Sequence, residues 1–425
     1  MSTDFPRLQK YLDYHEDVHD ESDWKTRLRP KTSPLPRSIP RGFTPEALDA
    51  RWETLSVNNG ARGEIADLDT CAKAQSYKNN IENFIGTVKV PVGVAGPLRI
   101  NGLFAQGDYY VPLATTEAAL VASYNRGMRI ISEAGGCTTV LANEGVNRAP
   151  GFAFDNLTEA AIFIVWTMGQ MKKIKYAAEK TTRYGKLIDI QFTIEGNHVY
   201  FVFDFVTSDA SGQNMATIAS QAICDYIMEH SPLKPKFYFS ESNLSGDKKA
   251  TSQSFQTVRG RKVTAETFIP RALVEKGLHT TPEEMARYSS FAMVASSLSG
   301  SIGSQGHYAN ALTALYIACG QDVACVAESA VGITRMDTTE EGDLHLCVTL
   351  PSLMVATVGG GTAAPSQAAC LDILGLKGPG NAHAFAEVAI GLCLAGELSI
   401  AAAICSHQFV RAHSDLARGN GKPRK

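Results

Sequence analysis

The chain has 425 residues, of which 44% are hydrophobic and 20% charged, with a net charge of −3. That length allows two or three domains, and so small a net charge argues against nucleic acid or an acidic polymer as partner. Nine cysteines with no CxxC pair, several in apolar surroundings (Cys319, Cys325, Cys393, Cys405), read as reduced core thiols of a cytoplasmic protein rather than a disulfide framework or a zinc site, so no metal is expected.

Residues 1–45 are charged and punctuated by Pro30, Pro34, Pro36 and Pro40, which predicts an extended arm; the acidic stretch Glu16 to Asp23 argues against a signal peptide. Thr44 and Pro45 mark a helix start. Ile81 to Val111, rich in Gly, Pro and β-branched residues, reads as short strands and turns. Glu117 is then the single acid in the apolar run Val111 to Arg129. A carboxylate buried among Leu113, Ala114, Ala118, Ala119, Leu120 and Val121 would resist ionisation and could act as a general acid. Alternatively, Thr115 or Thr116 caps a helix and Glu117 lies at its positive end.

From 150 to 241 the pattern is strand (Gly151–Phe154), helix (Asn156–Lys180), strands Leu187–Glu195 and His198–Thr207 joined at Gly196-Asn197, helix (Asp209–His230) and strand (Lys236–Ser240). The order βαββαβ is that of ferredoxin-like domains. Its second helix opens at Asp209-Ala-Ser-Gly-Gln-Asn-Met215, where backbone N–H groups favour an anion, or Asp209 is an ordinary cap. Thr181-Thr182-Arg183 suits a phosphate monoester or an exposed loop. Asp247-Lys248-Lys249 reads as a solvated turn or as an oxyanion site. After residue 260 the chain turns helical and apolar, broken at Gly300–Gly306, Gly320-Gln-Asp322 and Thr357-Val-Gly-Gly-Gly-Thr362. Asp322, ending an apolar segment, needs a partner; the glycine turn lacks the dinucleotide fingerprint and by itself is a tight turn. Ala386–Ile404, interrupted by Glu387 and Glu397, predicts a buried helix and no membrane span. His413 is a surface residue or an acid with an ordinary pKa near neutrality.

Together these motifs resemble the 3-hydroxy-3-methylglutaryl-CoA reductase family. The match runs from about Glu82 to Arg418, through Glu82-Asn-Phe-Ile-Gly86, Pro91-Val-Gly-Val-Ala-Gly-Pro97, Ala114-Thr-Thr-Glu117, Asp247-Lys-Lys249, Ala318-Cys-Gly-Gln-Asp322 and Thr357–Thr362, in the family's order. It is closer to the eukaryote-type (class I) members, without their membrane anchor, so a soluble member or a catalytic fragment is expected. The resemblance implies an α+β fold: a large, mostly helical substrate-binding domain (82–149 and 250–425) with an inserted ferredoxin-like nucleotide-binding domain (150–240), a connecting catalytic loop (241–249), and an N-terminal arm with a small helical region (1–81). It implies reduction of the thioester to mevalonate and CoA by two NADPH. Glu117 would be the proton donor, Lys248 the oxyanion stabiliser, Asp322 the coupling acid and His413 the acid for the departing thiolate. The acyl-CoA substrate would meet Ser123, Asn125, Arg126 and Arg129 on the CoA side, and Arg148, Asn243, Asp247, Lys249, His307 and Asn310 in the acyl pocket. The nucleotide would meet Thr182, Arg183, Asp209, Gly212, Asn214, Gly359, Gly360, Gly361 and Arg418. A homodimer or homotetramer with shared active sites follows from the same resemblance.

The chain also departs from the family pattern. Asp209–Met215 carries Ser211 and Gln213 where the family has methionines, and the loop Gly303-Ser-Gln-Gly-His307 is one residue shorter. Phe291 stands near the place of a lysine that grips the substrate's carboxylate, and Glu241 in place of a serine. A lost cation and a gained acid weaken carboxylate binding. Two other readings therefore stand beside the first: a reductase of an acyl thioester lacking the distal carboxylate, and a catalytically silent homologue.

Overall fold

The computed structural model describes residues 25–26, 28–30, 39–55 and 59–407; His413 and Arg418 lie outside them, as does most of the predicted arm. The described chain begins with helices α1 (Pro45–Leu55), α2 (Asn59–Ile65) and α3 (Leu68–Ala72). As predicted, Thr44 opens α1, its hydroxyl accepting from Ala47 N at 3.2 Å. Leu48, Trp52 and Phe84 form a small separate core, braced by the Arg51 guanidinium donating to the carbonyls of Pro40, Gly42 and Phe84.

Strands β1 (Val92–Gly102) and β2 (Gln106–Ala114) form an antiparallel pair. Helix α4 (Leu120–Glu133) and strands β3 (Cys137–Arg148) and β4 (Gly151–Ala153) follow. The helix expected over 156–180 is broken at Gly169-Gln170 into α5 (Leu157–Gly169) and α6 (Met171–Glu179). Next come β5 (Lys186–Glu195), β6 (His198–Val206), α7 (Gln213–His230) and β7 (Phe237–Phe239). Glu195 pairs with His198 across the predicted two-residue turn, with Gly196 at φ +56°. The four strands lie in the order β7-β4-β6-β5, all antiparallel, which is the ferredoxin-like arrangement.

The fold class is α+β as expected, but the part after residue 260 is less helical than its apolar composition suggests. Besides helices α8 (Arg271–Leu278), α9 (Pro282–Ser299), α10 (Tyr308–Cys319), α11 (Val326–Ser329), α12 (Pro365–Ile373) and α13 (Ala382–Cys405), it holds strands β8 (Gly260–Ile269), β9 (Gly303–Ser304), β10 (Gly332–Thr338) and β11 (Leu344–Leu353). Strand β3 joins the two sheets: Thr138–Gly145 pair with β8, and Val146–Arg148 pair with β6.

Helix α13 is the centre of the larger part. It is long and apolar enough to cross a membrane, yet 83% of its most apolar window is buried inside the protein. It packs against α4, α10, β8 and β11. An all-round apolar helix is a core helix when other elements surround it. Its two buried acids accept hydrogen bonds from backbone N–H groups, and Glu397 from side chains as well. Glu387 accepts from the N–H groups of Leu103, Phe104 and Ala105 (3.1, 2.9 and 2.7 Å). Glu397 accepts from Gly306 N, His307 N and the Thr334 hydroxyl (2.7, 2.9 and 2.8 Å). These bonds fix the β1–β2 turn and the 303–307 loop to the core.

Candidate active site

The loop that follows β7 carries the predicted lysine. Glu241 organises it: the carboxylate accepts from Asn243 N (2.9 Å), the Ser245 hydroxyl (3.1 Å) and Ala149 N (3.3 Å). Its charge is therefore directed at the loop's own donors. Asn243 and Lys248 have φ of +66° and +55°, a conformation that non-glycine residues hold only when the surroundings impose it. Those surroundings are polar and buried. Asp247 is ion-paired with Arg259, Arg259 with the buried Glu328, and Arg148 lies 3.7 Å from Asp247. Arg148 also donates to the Thr217 hydroxyl and the Gln213 carbonyl. Lys249 donates to the Asp247 carbonyl.

Lys248 Nζ reaches Asp322 Oδ2 at 2.8 Å. This hydrogen bond raises the lysine pKa, so the ammonium is held. Asp322 is half exposed rather than buried, and its other oxygen accepts from Ala324 N at 3.1 Å, capping a short 3-10 turn. The turn before it hugs the glycine-rich segment: a Cβ at Gly320 would stand 2.3 Å from the Gly361 carbonyl oxygen, which accounts for the glycine.

Lys248 and Asp322 line a cavity of about 1040 Å³ together with Asp209, Gly212, Asn214 and the Gly359–Gly361 turn. Gly212, at φ +70°, precedes α7 with no side-chain cap, so the first N–H groups of an 18-residue helix face outward. Asp209 is not that helix's cap, which removes one of the two readings the sequence left open. It accepts from Gly380 N (2.9 Å) and Ala382 N (3.1 Å) at the start of α13. Although burial works in the opposite direction, these N–H groups, with Arg261 and His383 nearby, lower its pKa.

Thr182 and Arg183 do not line the cavity. The Thr182 hydroxyl closes its own turn, accepting from Tyr184 N and Gly185 N and touching Met215 Sδ, which does line it. Tyr77, Asn80, Tyr184 and Gln321 also line the cavity and were not anticipated; Asn80 Nδ2 donates to the Gly360 carbonyl at 2.6 Å.

The remaining predicted residues lie elsewhere. Glu117 is exposed, as is Ala118, which removes the buried-acid alternative of the two the sequence left open. Thr115 accepts from Glu117 N at 3.0 Å without capping a helix, because α4 starts only at Leu120 after Ala119 at φ +71°. Glu117 instead takes Asn310 Nδ2 at 3.4 Å. His307, also at the start of α10, holds Glu397 through Nδ1 at 3.1 Å and stacks on Tyr124. Ser123 and Arg126 bond to Ser399 on α13, Asn125 accepts from Gly96 N, and Arg129 lies 3.8 Å from Glu133. Asn310 stands two residues into α10, and Asp322 three residues beyond its end. The two polar pairs thus lie at opposite ends of one helix, separated by roughly 14 Å of rise.

A ferredoxin-like unit and a larger sheet wrapped on a buried helix, with a lysine–carboxylate pair beside a glycine-lined cavity, describe an α+β protein with a ligand-sized cavity. The comparisons place it further. The hydroxymethylglutaryl-coenzyme A reductase family model matches residues 47–418, and the chain belongs to that family. It is 45% identical to the 3-hydroxy-3-methylglutaryl-coenzyme A reductase of Pyrococcus horikoshii over 346 residues, 80% of this chain and 84% of that protein. With the enzyme of Methanothermobacter thermautotrophicus the identity is 39%, covering 88% and 94%. With reductase 3 of Hevea brasiliensis it is 37%, covering 87% and 64%. The class II reductase of Streptococcus pneumoniae, solved bound to NADPH in open conformations, shares the fold with a TM-score of 0.62 at 21% identity, covering 84% of this chain and 96% of that one.

Proposed function

We propose that the chain reduces 3-hydroxy-3-methylglutaryl-CoA to mevalonate and CoA, consuming two NADPH in a four-electron reaction. The observation that carries this reading is the Lys248–Asp322 pair at 2.8 Å on a cavity bordered by uncapped helix N–H groups and a glycine turn. The cavity suits the cofactor. Added Cβ atoms at Gly359 and Gly360 would meet nothing within 4 Å, so their backbone is open to a ligand, and the α7 N-terminus favours a pyrophosphate. NADPH, when bound, supplies one hydride per reduction step.

The residues do the rest. Hydride addition to the thioester carbon, and later to the aldehyde carbon, each puts negative charge on oxygen, and the Lys248 ammonium donates a hydrogen bond to that oxygen. Asp322 keeps the lysine charged and aimed. Glu117 gives the proton that turns alkoxide into hydroxyl. Between the two reductions the hemithioacetal hydroxyl returns its proton to Glu117 as the C=O re-forms, the C–S bond breaks with the electron pair going to sulfur, and His413 protonates the thiolate. Two protons and two hydrides are taken up per thioester. Thr182 and Arg183, beside Tyr184 at the cavity, are assigned to the nucleotide's 2′-phosphate; residues 150–240 form the nucleotide-binding unit.

Glu117 and Lys248 serve one carbonyl only if they come from different copies of the chain. We therefore assign the Glu117–Asn310–His307 half-site of one subunit to the Lys248–Asp322 half-site of another, in a homodimer or a homotetramer. The 37% identity to the plant protein against 21% to the class II enzyme supports a class I-like assignment, and the burial of α13 is consistent with a soluble, cytoplasmic protein. Because Glu241 is taken up by Ala149, Asn243 and Ser245, the substrate's distal carboxylate meets Arg148 and Lys249 without an unopposed acid.

The test is NADPH oxidation with hydroxymethylglutaryl-CoA against a panel of acyl-CoAs. Turnover with hydroxymethylglutaryl-CoA is expected. Turnover only with uncharged acyl groups would contradict the substrate, and no turnover with any thioester would contradict the reaction.

A further inference from the structure

Strands β8 and β11 run antiparallel with Cys347 directly opposite Glu266. His345 is two residues from Cys347, so the pleat puts all three side chains on one face of the sheet. His345 Nε2 lies 2.9 Å from Glu266 Oε2 and 3.1 Å from Cys347 Sγ, and the sulfur lies 3.9 Å from the same carboxylate oxygen. Phe268, opposite His345, stacks on the imidazole at 4.2 Å with the planes 4° apart, which fixes the ring.

In the metal-free triangle the imidazole N–H and the thiol both donate to Glu266 Oε2. The same three atoms are a nitrogen, a sulfur and an oxygen ligand, all within 4.8 Å of one another. A cation at the centre answers all three atoms. Metal–donor lengths for nitrogen, oxygen and sulfur place tetrahedral donors about 3.3–3.7 Å apart, so each edge of the triangle is within about half an ångström of what a tetrahedral ion needs. We propose that Glu266, His345 and Cys347 bind a zinc-class divalent cation, with water as the fourth ligand.

The donor set selects the ion: imidazole and thiolate favour zinc-class metals over magnesium or calcium. The carboxylate and thiolate balance the ion's charge. Arg335, 3.5 Å from the sulfur, is itself paired with Asp337. The half-exposed Glu266 side chain leaves room for water. None of the three residues lines the cavity that holds Lys248 and Asp322, so the site bears on assembly or regulation rather than on hydride transfer. It lies outside the sequence expectation of no metal because its donors come from strands some 80 residues apart.

The experiment is a Co²⁺ titration of the chelator-treated full chain. The expected result is a sulfur-to-cobalt charge-transfer band that saturates at one equivalent per chain and is abolished by excess Zn²⁺. It should be lost in Cys347→Ser and in His345→Gln and kept in Cys405→Ser, with NADPH oxidation unchanged in all three. A band that survives Cys347→Ser, or none saturating at one equivalent, overturns the proposal. Alkylation of the wild-type chain provides a readout independent of variant folding: Zn²⁺ should protect Cys347, and equal alkylation with and without Zn²⁺ overturns it.

Discussion

Lys248 is held by two devices that a sequence does not display: a left-handed backbone and a carboxylate from another element. Asp322 was visible as a candidate because a charge ending an apolar segment needs a partner, whereas Asp247-Lys248-Lys249 read as a solvated turn or an oxyanion site. Their meeting depends on the brace Glu328–Arg259–Asp247, which fixes the loop from beneath. Lys248→Ala is expected to lower kcat by at least about a hundredfold, the size of losing an oxyanion donor, while NADPH affinity measured by fluorescence titration stays within about twofold, less than 0.5 kcal/mol. Asp204 on β6 is a second residue with a definite signature. Burial, assisted by the nearby Asp189, pushes its carboxyl up to about 7, and Oδ1 has no partner within the structure. A folded pKa above the unfolded value of about 3.9 gives stability that is whole below that value and is lost as pH rises through about 7. Thermal unfolding should therefore show the wild type losing stability between about pH 4 and pH 7 relative to Asp204→Asn, by on the order of 4 kcal/mol. Parallel profiles for the two proteins would contradict this. Glu117 shows the limit of reading one segment: its apolar neighbours suggested burial, but Ala119 at φ +71° delays the helix and leaves the acid at the surface of the single chain.

At the scale of elements, the split βαββαβ order was legible because helix and strand periods alternate cleanly there and Gly196-Asn197 marks the hairpin. Strands β8, β10 and β11 were harder. Their buried positions alternate, as Val263, Ala265, Thr267 and Ile269 do, but Thr, Glu and Arg among them blur the apolar signal. Helix α13 was legible as buried because Glu387 and Glu397 interrupt it; what they bond to was not, since their partners, mostly backbone N–H groups, lie far along the chain. Replacing Glu387 with Leu strands the N–H groups of residues 103–105 and is expected to cost about 3–5 kcal/mol. Chemical denaturation should report that loss, whereas Glu387→Gln, which keeps an acceptor, should lose less than half as much.

At the scale of the whole molecule, the helix α10 separates the two halves of the chemistry, with Glu117, Asn310 and His307 at one end and Lys248 and Asp322 at the other. In the proposed reaction these are two half-sites of one chain that meet across copies. Sequence motifs carry no distance between the two groups, and Tyr77 and Asn80 reach the cavity from a segment with no motif at all. The most direct measurement is complementation: Glu117→Gln and Lys248→Ala chains are co-expressed, and NADPH oxidation with hydroxymethylglutaryl-CoA is compared with each variant alone. A mixed dimer has one wild-type site of two, and half of the dimers are mixed, so activity should recover to roughly a quarter of wild type. Activity no greater than the average of the two separate variants, with mixed dimers verified by mass, would contradict the shared site.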